Sequence, residues 1–192
     1  MTSHESAMRA AIAEAERARG KTGDNPWVGC VIVDGRGEVV ARGHTQGPGE
    51  DHAEIVAMHE AARLGVALSE ATLYSTLEPC AFHGRTPACA KAIVTRGVRR
   101  VVTGILDPNP RVDGVGLSML REAGVEVVSD VCAGEIRLQL APWIFRFHPH
   151  EPARFAASVA EPERMAILTA RYGVSEAEIR DVLARGGVSP RS

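Results

Sequence analysis

Short runs of β-branched residues alternate with amphipathic segments along most of the chain, and this alternation restricts the fold more than any other feature. VGCVIV (28–33) and EVVARG (38–43) flank the glycine-rich turn at 34–37, a pattern typical of an antiparallel hairpin. The other segments predict strands over 71–77, 98–106 and 125–130 and helices over 4–19, 52–64, 86–97, 117–124 and 131–147. This order predicts an α/β sandwich with a mixed five-stranded sheet whose second half is largely parallel.

The composition is that of an ordinary globular protein and disfavours binding to long nucleic acid. Of the 192 residues, 45% are hydrophobic and 24% are charged, and the formal net charge is -2. Without a basic stripe interleaved with aromatic residues, a small substrate is expected. The sequence shows neither a secretory leader nor a run of 18 uncharged apolar residues, so we expect a cytoplasmic protein that does not span a membrane.

The composition shifts after residue 150, and we therefore expect a domain over 1–150 followed by a C-terminal helical extension over 151–192. Two helical patterns within 161–186 surround Tyr172-Gly173-Val174-Ser175. A helical hairpin that packs on the body or on a second subunit fits this pattern. A helix-turn-helix also fits, but one turn poor in arginine is weak evidence for DNA binding.

The strongest chemical signal is His52-Ala53-Glu54, followed by Pro79-Cys80 and by Cys89. Imidazole nitrogen and thiolate sulfur are preferred ligands of zinc, and a catalytic zinc keeps its fourth position for water, whose pKa it lowers to about 7. We predict that His52, Cys80 and Cys89 bind zinc, with Glu54 beside the bound water. Thr86-Pro87 predicts a helix start that puts Cys89 in the first turn, where the helix dipole favours thiolate.

The main alternative is a structural zinc site with a fourth protein ligand. The candidates for that ligand are Cys132, Cys30, His83 and His59. His59 lies seven residues beyond His52 on the same predicted helix, about 10 Å further along its axis, which is too far to share the ion.

His-x-Glu followed by Pro-Cys and a second cysteine is the signature of zinc deaminases. In that chemistry Glu54 takes a proton from the bound water, hydroxide attacks the ring carbon that bears the amino group, and Glu54 then protonates the departing ammonia. Two rival hypotheses remain. One is a deaminase that edits a base in RNA, and the other is a zinc-stabilised binding module without catalysis.

The chain resembles the deaminase domain of the riboflavin-pathway enzyme that acts on a diaminohydroxy-phosphoribosylaminopyrimidine, within the cytidine deaminase-like superfamily. The resemblance runs from about residue 25 to residue 128 and is carried by NPWVGCVIV (25–33), His44, HAEIVAMHEA (52–61), TLEPCAFHGRTPAC (76–89) and DPNPRVDGVGLSMLREAGVEV (107–127). It implies a three-layer α/β/α sandwich, bound zinc and a homodimer or homotetramer. Because the reductase domain common in this family is not found in the sequence, we expect a stand-alone deaminase.

The resemblance further implies which residues contact the substrate. Asn25 and His44 would contact the heterocycle or the ribose, and four others would place the substrate and its phosphate, namely His83, Arg85, Asp107 and Asn109. A guanidinium suits a phosphate because it donates two parallel hydrogen bonds. From the residues alone, Arg85 is equally an exposed loop charge, and the Asn-Pro and Asp-Pro-Asn-Pro segments are equally rigid turns.

The chain departs from the family pattern at three places. Ala81-Phe82 stand where the family usually has serine and histidine, Ala88 replaces a proline before the second cysteine, and the loop from His44 to His52 is one residue longer. These departures fall in segments that would contact the substrate, so the substrate could be another aminated pyrimidine, a pterin or a purine.

Overall fold

The computed structural model describes most of the first 147 residues and four residues near the C-terminus. The described residues are 3–82, 84, 87–109, 111–147, 175–177 and 180. Contacts within the chain group into two compact units, Met1–Ala133 and Gly134–Ser192. The first unit contains all five strands of the described sheet.

The five strands follow the order β2-β1-β3-β4-β5 in one sheet. Their bounds are Gly29–Val33 (β1), Val39–His44 (β2), Thr72–Leu77 (β3), Arg100–Ile105 (β4) and Glu126–Val128 (β5). Strand β1 is antiparallel to β2 and β3, whereas β3, β4 and β5 run parallel. The prediction of a mixed five-stranded sheet with a parallel second half is confirmed.

Four helices of the first unit cover both faces of this sheet. Their bounds are His4–Glu16 (α1), Ala53–Arg63 (α2), Cys89–Thr95 (α3) and Val115–Glu122 (α4). Helix α1 packs on the face to which Gly29 and His44 belong, and α2 packs on the opposite face at Gly43. Helix α3 contacts both α2 and α4, so these three helices share a layer. The predicted three-layer α/β/α sandwich is confirmed.

Two glycines let α1 and α2 approach the sheet closely. A Cβ atom at Gly29 would lie 2.0 Å from the backbone oxygen of Ala11, and a Cβ atom at Gly43 would lie 2.3 Å from the backbone oxygen of Ala53. Real Cβ atoms do not reach such distances, so any side chain at either position must push a helix away from the sheet. Gly43 therefore fixes how closely the first turn of α2 approaches the sheet.

Four strand ends meet at one edge of the sheet. Strand β1 begins there at Gly29, and β2, β3 and β4 end there at His44, Leu77 and Ile105. The segments attached to these ends carry most of the predicted site residues. Because they start from the same edge, side chains far apart in sequence can converge.

Helix α3 begins at Cys89, later than the start predicted at residue 86. Ala88 is its N-cap and has a non-helical backbone without a side-chain cap. Cys80 supplies the acceptors instead, because its sulfur accepts from the N–H of Cys89 at 3.3 Å and its carbonyl accepts from the N–H of Ala90 at 3.1 Å. The predicted start was wrong because Cys80, nine residues before Cys89, caps this helix in place of the predicted N-cap Thr86.

Helix α5 spans Ala133–Phe147 and contains Pro142. The proposed boundary between residues 150 and 151 and nearly all of the helical patterns in 161–186 lie outside the described residues, so these remain predictions. In the described part of the chain, no helix is long and apolar enough to cross a membrane.

We predict that Gly43→Ala lowers the free energy of unfolding by about 1–3 kcal/mol relative to Gly35→Ala, because the new methyl group meets the backbone of α2. Gly35 is exposed, and a Cβ atom there would lie 3.9 Å from its nearest neighbour. Each variant replaces a glycine by alanine, so both reduce the conformational entropy of the unfolded chain by the same amount. The difference between their free energies of unfolding in urea therefore measures the cost of the clash between the new methyl group at position 43 and α2. Equal stability of the two variants would contradict the close approach.

Candidate active site

Three side chains able to bind a metal converge at the edge of the sheet. His52 is the N-cap of α2, Cys80 follows β3, and Cys89 is the first residue of α3. The Nδ1 atom of His52 lies 3.7 Å from the sulfur of Cys80 and 3.4 Å from the sulfur of Cys89. All three ligand atoms lie within 4.8 Å of one another.

These distances fit a tetrahedral zinc ion. Zinc binds thiolate at about 2.3 Å and imidazole at about 2.0–2.1 Å, so a tetrahedral site separates its nitrogen and sulfur ligands by about 3.6 Å. The observed separations of 3.4 and 3.7 Å lie on either side of that value. One imidazole and two thiols are also the donor set that zinc prefers, so the residues present fit this metal.

The candidate fourth ligands that the structure describes lie outside this group. Among the described residues, the cluster that could hold a metal ion contains one histidine and two cysteines. The Nδ1 atom of His59 lies 3.4 Å from Asp51, and its Nε2 atom lies 2.7 Å from Arg96. The thiol of Cys132 contacts the carbonyl of Glu5 at 3.8 Å. Cys30 is fully buried in β1, and His83 lies outside the described residues.

The thiols of Cys80 and Cys89 contact each other, and each shifts the pKa of the other in the opposite direction. A hydrogen bond with Cys89 lowers the pKa of the Cys80 thiol to about 4, and the hydrogen bond that Cys80 accepts from His52 acts in the same direction. The same interaction raises the pKa of Cys89. The N–H of Cys89 also donates to the sulfur of Cys80, so the start of α3 stabilises the thiolate that a metal requires.

Glu54 lies in the first turn of α2, two residues after His52, and is 3% exposed. Burial raises the pKa of its carboxyl group to about 7, and the charge of His52 acts in the opposite direction. A carboxyl group with this pKa can take up and release a proton near neutral pH. Burial raises the pKa of the Cys30 thiol in β1, and the charge of Glu54 acts in the same direction.

Asn25 and His44 lie at the same edge of the sheet. The backbone of Asn25 is held by Thr22, whose hydroxyl donates to the Asn25 carbonyl at 2.7 Å. His44 is the last residue of β2, and its Nδ1 atom lies 2.8 Å from the carboxylate of Glu14 on α1. The imidazole of His44 therefore faces the α1 layer. Contact of either residue with substrate stays a prediction.

Asp107 and Asn109 form a tight turn after β4. The carboxylate of Asp107 accepts from the N–H of Asn109 at 2.8 Å, and the side-chain oxygen of Asn109 accepts from the N–H of Arg111 at 3.1 Å. Asp107 is 8% exposed, and burial raises its pKa to about 7. The guanidinium of Arg111 stacks on Phe82 at 4.4 Å, so this turn contacts the segment that follows Cys80. Arg85 lies outside the described residues.

Glu78 was missed by the sequence analysis and organises this region. It is 2% exposed, and its two carboxylate oxygens accept four backbone N–H groups at 2.8–3.2 Å, those of Asp107, Gly114, Gly116 and Leu117. It thereby fastens the turn after β4 and the start of α4 to the end of β3, next to Cys80. A glutamate directly after a buried strand was the available signal, but its partners are 29 or more residues away.

The chain matches the family described as the cytidine and deoxycytidylate deaminase zinc-binding region over residues 1–105. The matched segment contains His52, Glu54, Cys80 and Cys89. The family therefore covers the whole candidate metal group and the buried carboxyl group beside it.

Known relatives include riboflavin biosynthesis proteins. RibD of Escherichia coli (strain K12) is 39% identical over 178 residues, which cover 91% of this chain and 47% of that protein. RibD of Aquifex aeolicus (strain VF5) is 45% identical over 130 residues, which cover 68% of this chain and 35% of that protein.

Among solved structures, the diaminohydroxyphosphoribosylaminopyrimidine deaminase/5-amino-6-(5-phosphoribosylamino)uracil reductase of Thermotoga maritima superposes with a TM-score of 0.68 and 37% identity. The superposition covers 73% of this chain and 40% of that one. The chain thus spans less than half the length of each of these three relatives. Since the family model matches more than half of its residues, the chain belongs to the family of the cytidine and deoxycytidylate deaminase zinc-binding region.

Proposed function

We propose that this chain is a hydrolytic deaminase that replaces an exocyclic amino group of a nitrogen heterocycle by oxygen and releases ammonia. The observation that carries the proposal is a buried carboxyl group next to a group that can bind a metal. Glu54 lies in the first turn of α2, and His52, the N-cap of the same helix, meets the thiols of Cys80 and Cys89. Three ligands leave a tetrahedral ion one position for a reactant, which is the arrangement of catalytic zinc sites.

The bound metal would supply a Lewis acid that lowers the pKa of water to about 7. The chain's own contribution is proton transfer by Glu54. As the water oxygen adds to the ring carbon that carries the amino group, Glu54 accepts the proton that water loses. Glu54 then donates this proton to the leaving nitrogen, the C–N bond breaks, and ammonia departs. A carboxyl group with a pKa of about 7 suits both transfers.

An aminopyrimidine of riboflavin biosynthesis is the substrate class that we propose. The support is the name of the relatives, which are riboflavin biosynthesis proteins, and the deaminase named for the Thermotoga maritima structure. The residues proposed to contact this substrate are Asn25, His44, His83, Arg85, Asp107 and Asn109. Four of them are described by the structure, and all four belong to segments at the edge that carries the metal group.

We predict that Glu54→Gln lowers kcat for ammonia release by about 10²–10⁴-fold, because the amide cannot accept and return the proton. Ammonia release would be measured across a panel of aminopyrimidines, pterins and purines, with zinc content determined in parallel. Glu122→Gln, an exposed change on α4, is the matched control and should retain wild-type kcat. Absence of ammonia from every compound with the wild-type protein, or full activity of Glu54→Gln, would refute the proposal.

We also predict that the full chain binds one zinc ion and that Cys89→Ser loses it, because a serine hydroxyl is a poor ligand for zinc. Cys132→Ser is the control and should keep the ion, since Cys132 lies outside the metal-binding group. Zinc is measured by elemental analysis after dialysis against a weak chelator. If Cys132→Ser also lost its zinc, the site would have a fourth protein ligand and the catalytic assignment would fail.

A further inference from the structure

A hydrogen bond between His44 and the buried Glu14 joins the last residue of β2 to α1. The Nδ1 atom of His44 lies 2.8 Å from Oε1 of Glu14, and Glu14 is 5% exposed. We propose that Glu14 is a positioning residue that fixes the tautomer of His44, so that Nε2 accepts a hydrogen bond from a hydroxyl or N–H group of the substrate. This inference rests on the proposed function, which makes His44 a substrate contact.

The hydrogen-bond pattern around Glu14 determines where the imidazole proton lies. The same oxygen, Oε1, also accepts from the guanidinium of Arg17 at 2.9 Å. An arginine can only donate, so this oxygen acts as an acceptor, and the short contact with His44 requires a hydrogen on Nδ1. In the neutral imidazole the proton is then absent from Nε2, which carries a lone pair.

The position of His44 in β2 brings the His44–Glu14 pair near the start of α2, which carries His52 and Glu54. The preceding residue, Gly43, lies against the first turn of α2 at Ala53, between the metal ligand His52 and the proton carrier Glu54. His44 is one residue nearer to the edge where the strand ends meet, and its side chain is 20% exposed. The imidazole is therefore partly exposed at the end of β2, on the face of the sheet that α1 covers, while Nδ1 is occupied by a buried partner.

This arrangement restricts the chemistry of the group that His44 can recognise. A bare Nε2 accepts from a ribose hydroxyl or from a ring or exocyclic N–H, and it repels a carbonyl or phosphate oxygen. The opposite tautomer would prefer those oxygens. Glu14 thus acts through His44 on substrate selection and is expected to affect KM more than kcat.

The first test is spectroscopic and independent of activity. The zinc-loaded full chain, labelled with ¹⁵N, is examined by long-range ¹H–¹⁵N correlation at a pH of about 8.5, where an imidazole of ordinary pKa is neutral. His44→Gln assigns the signal among the seven histidines. We expect a protonated Nδ1 and a bare Nε2 for His44, and conversion to a protonated Nε2 in Glu14→Leu. A protonated Nε2 in the wild-type protein would overturn the proposal.

The second test compares Glu14→Leu with Glu14→Gln. Glutamine keeps a side-chain oxygen that accepts from Arg17 and His44, so its KM should remain near the wild-type value, whereas leucine should raise KM about three- to tenfold with kcat unchanged. Glu16→Gln, which changes the neighbouring pair with Arg19 and leaves Glu14 in place, is the control. Equal KM values for the leucine and wild-type proteins, or an equal loss in both Glu14 variants, would overturn the proposal. If the proposed function itself is wrong, the wild-type protein releases no ammonia. That result differs from both outcomes that would overturn the role of Glu14.

Discussion

A tetrahedral metal site requires that His52, Cys80 and Cys89 meet within a few ångströms, although 28 and 37 residues separate the two cysteines from the histidine. The fold meets this requirement by bringing four strand ends to one edge of the sheet. Gly43 lets the first turn of α2 lie close against the sheet, and Glu78 fastens the turn after β4 to the end of β3. Loss of either feature would move a ligand-bearing segment.

Three buried glutamates lie near this edge, and their surroundings give them different roles. Glu78 accepts four backbone N–H groups, which suits a structural anchor. Glu14 accepts from the guanidinium of Arg17 and from Nδ1 of His44, which suits orientation of the imidazole. Glu54 has a carboxyl pKa that burial raises to about 7, which suits proton transfer. Residue type alone would not separate these roles.

The sequence was sufficient to predict the elements of the sheet and to single out the three side chains that meet in one group, His52, Cys80 and Cys89, because both leave local signals. Strand and helix periods are read over a few residues, and the spacing of His52, Glu54, Cys80 and Cys89 is a known pattern. The start of α3 depends on a hydrogen bond across the loop between Cys80 and Cys89, and the role of Glu78 depends on hydrogen bonds to segments 29 or more residues away. Such pairings appear only when the chain is folded, so local patterns could not reveal them.

The central claim is that one imidazole and two thiolates bind zinc and leave its last position to solvent or substrate. X-ray absorption at the zinc edge of the zinc-loaded full chain tests it most directly. We predict two sulfur neighbours at about 2.3 Å, one imidazole, and one further light atom at about 2.0 Å that changes when a heterocyclic ligand is added. A third sulfur, a second imidazole, or a spectrum that no ligand alters would contradict it.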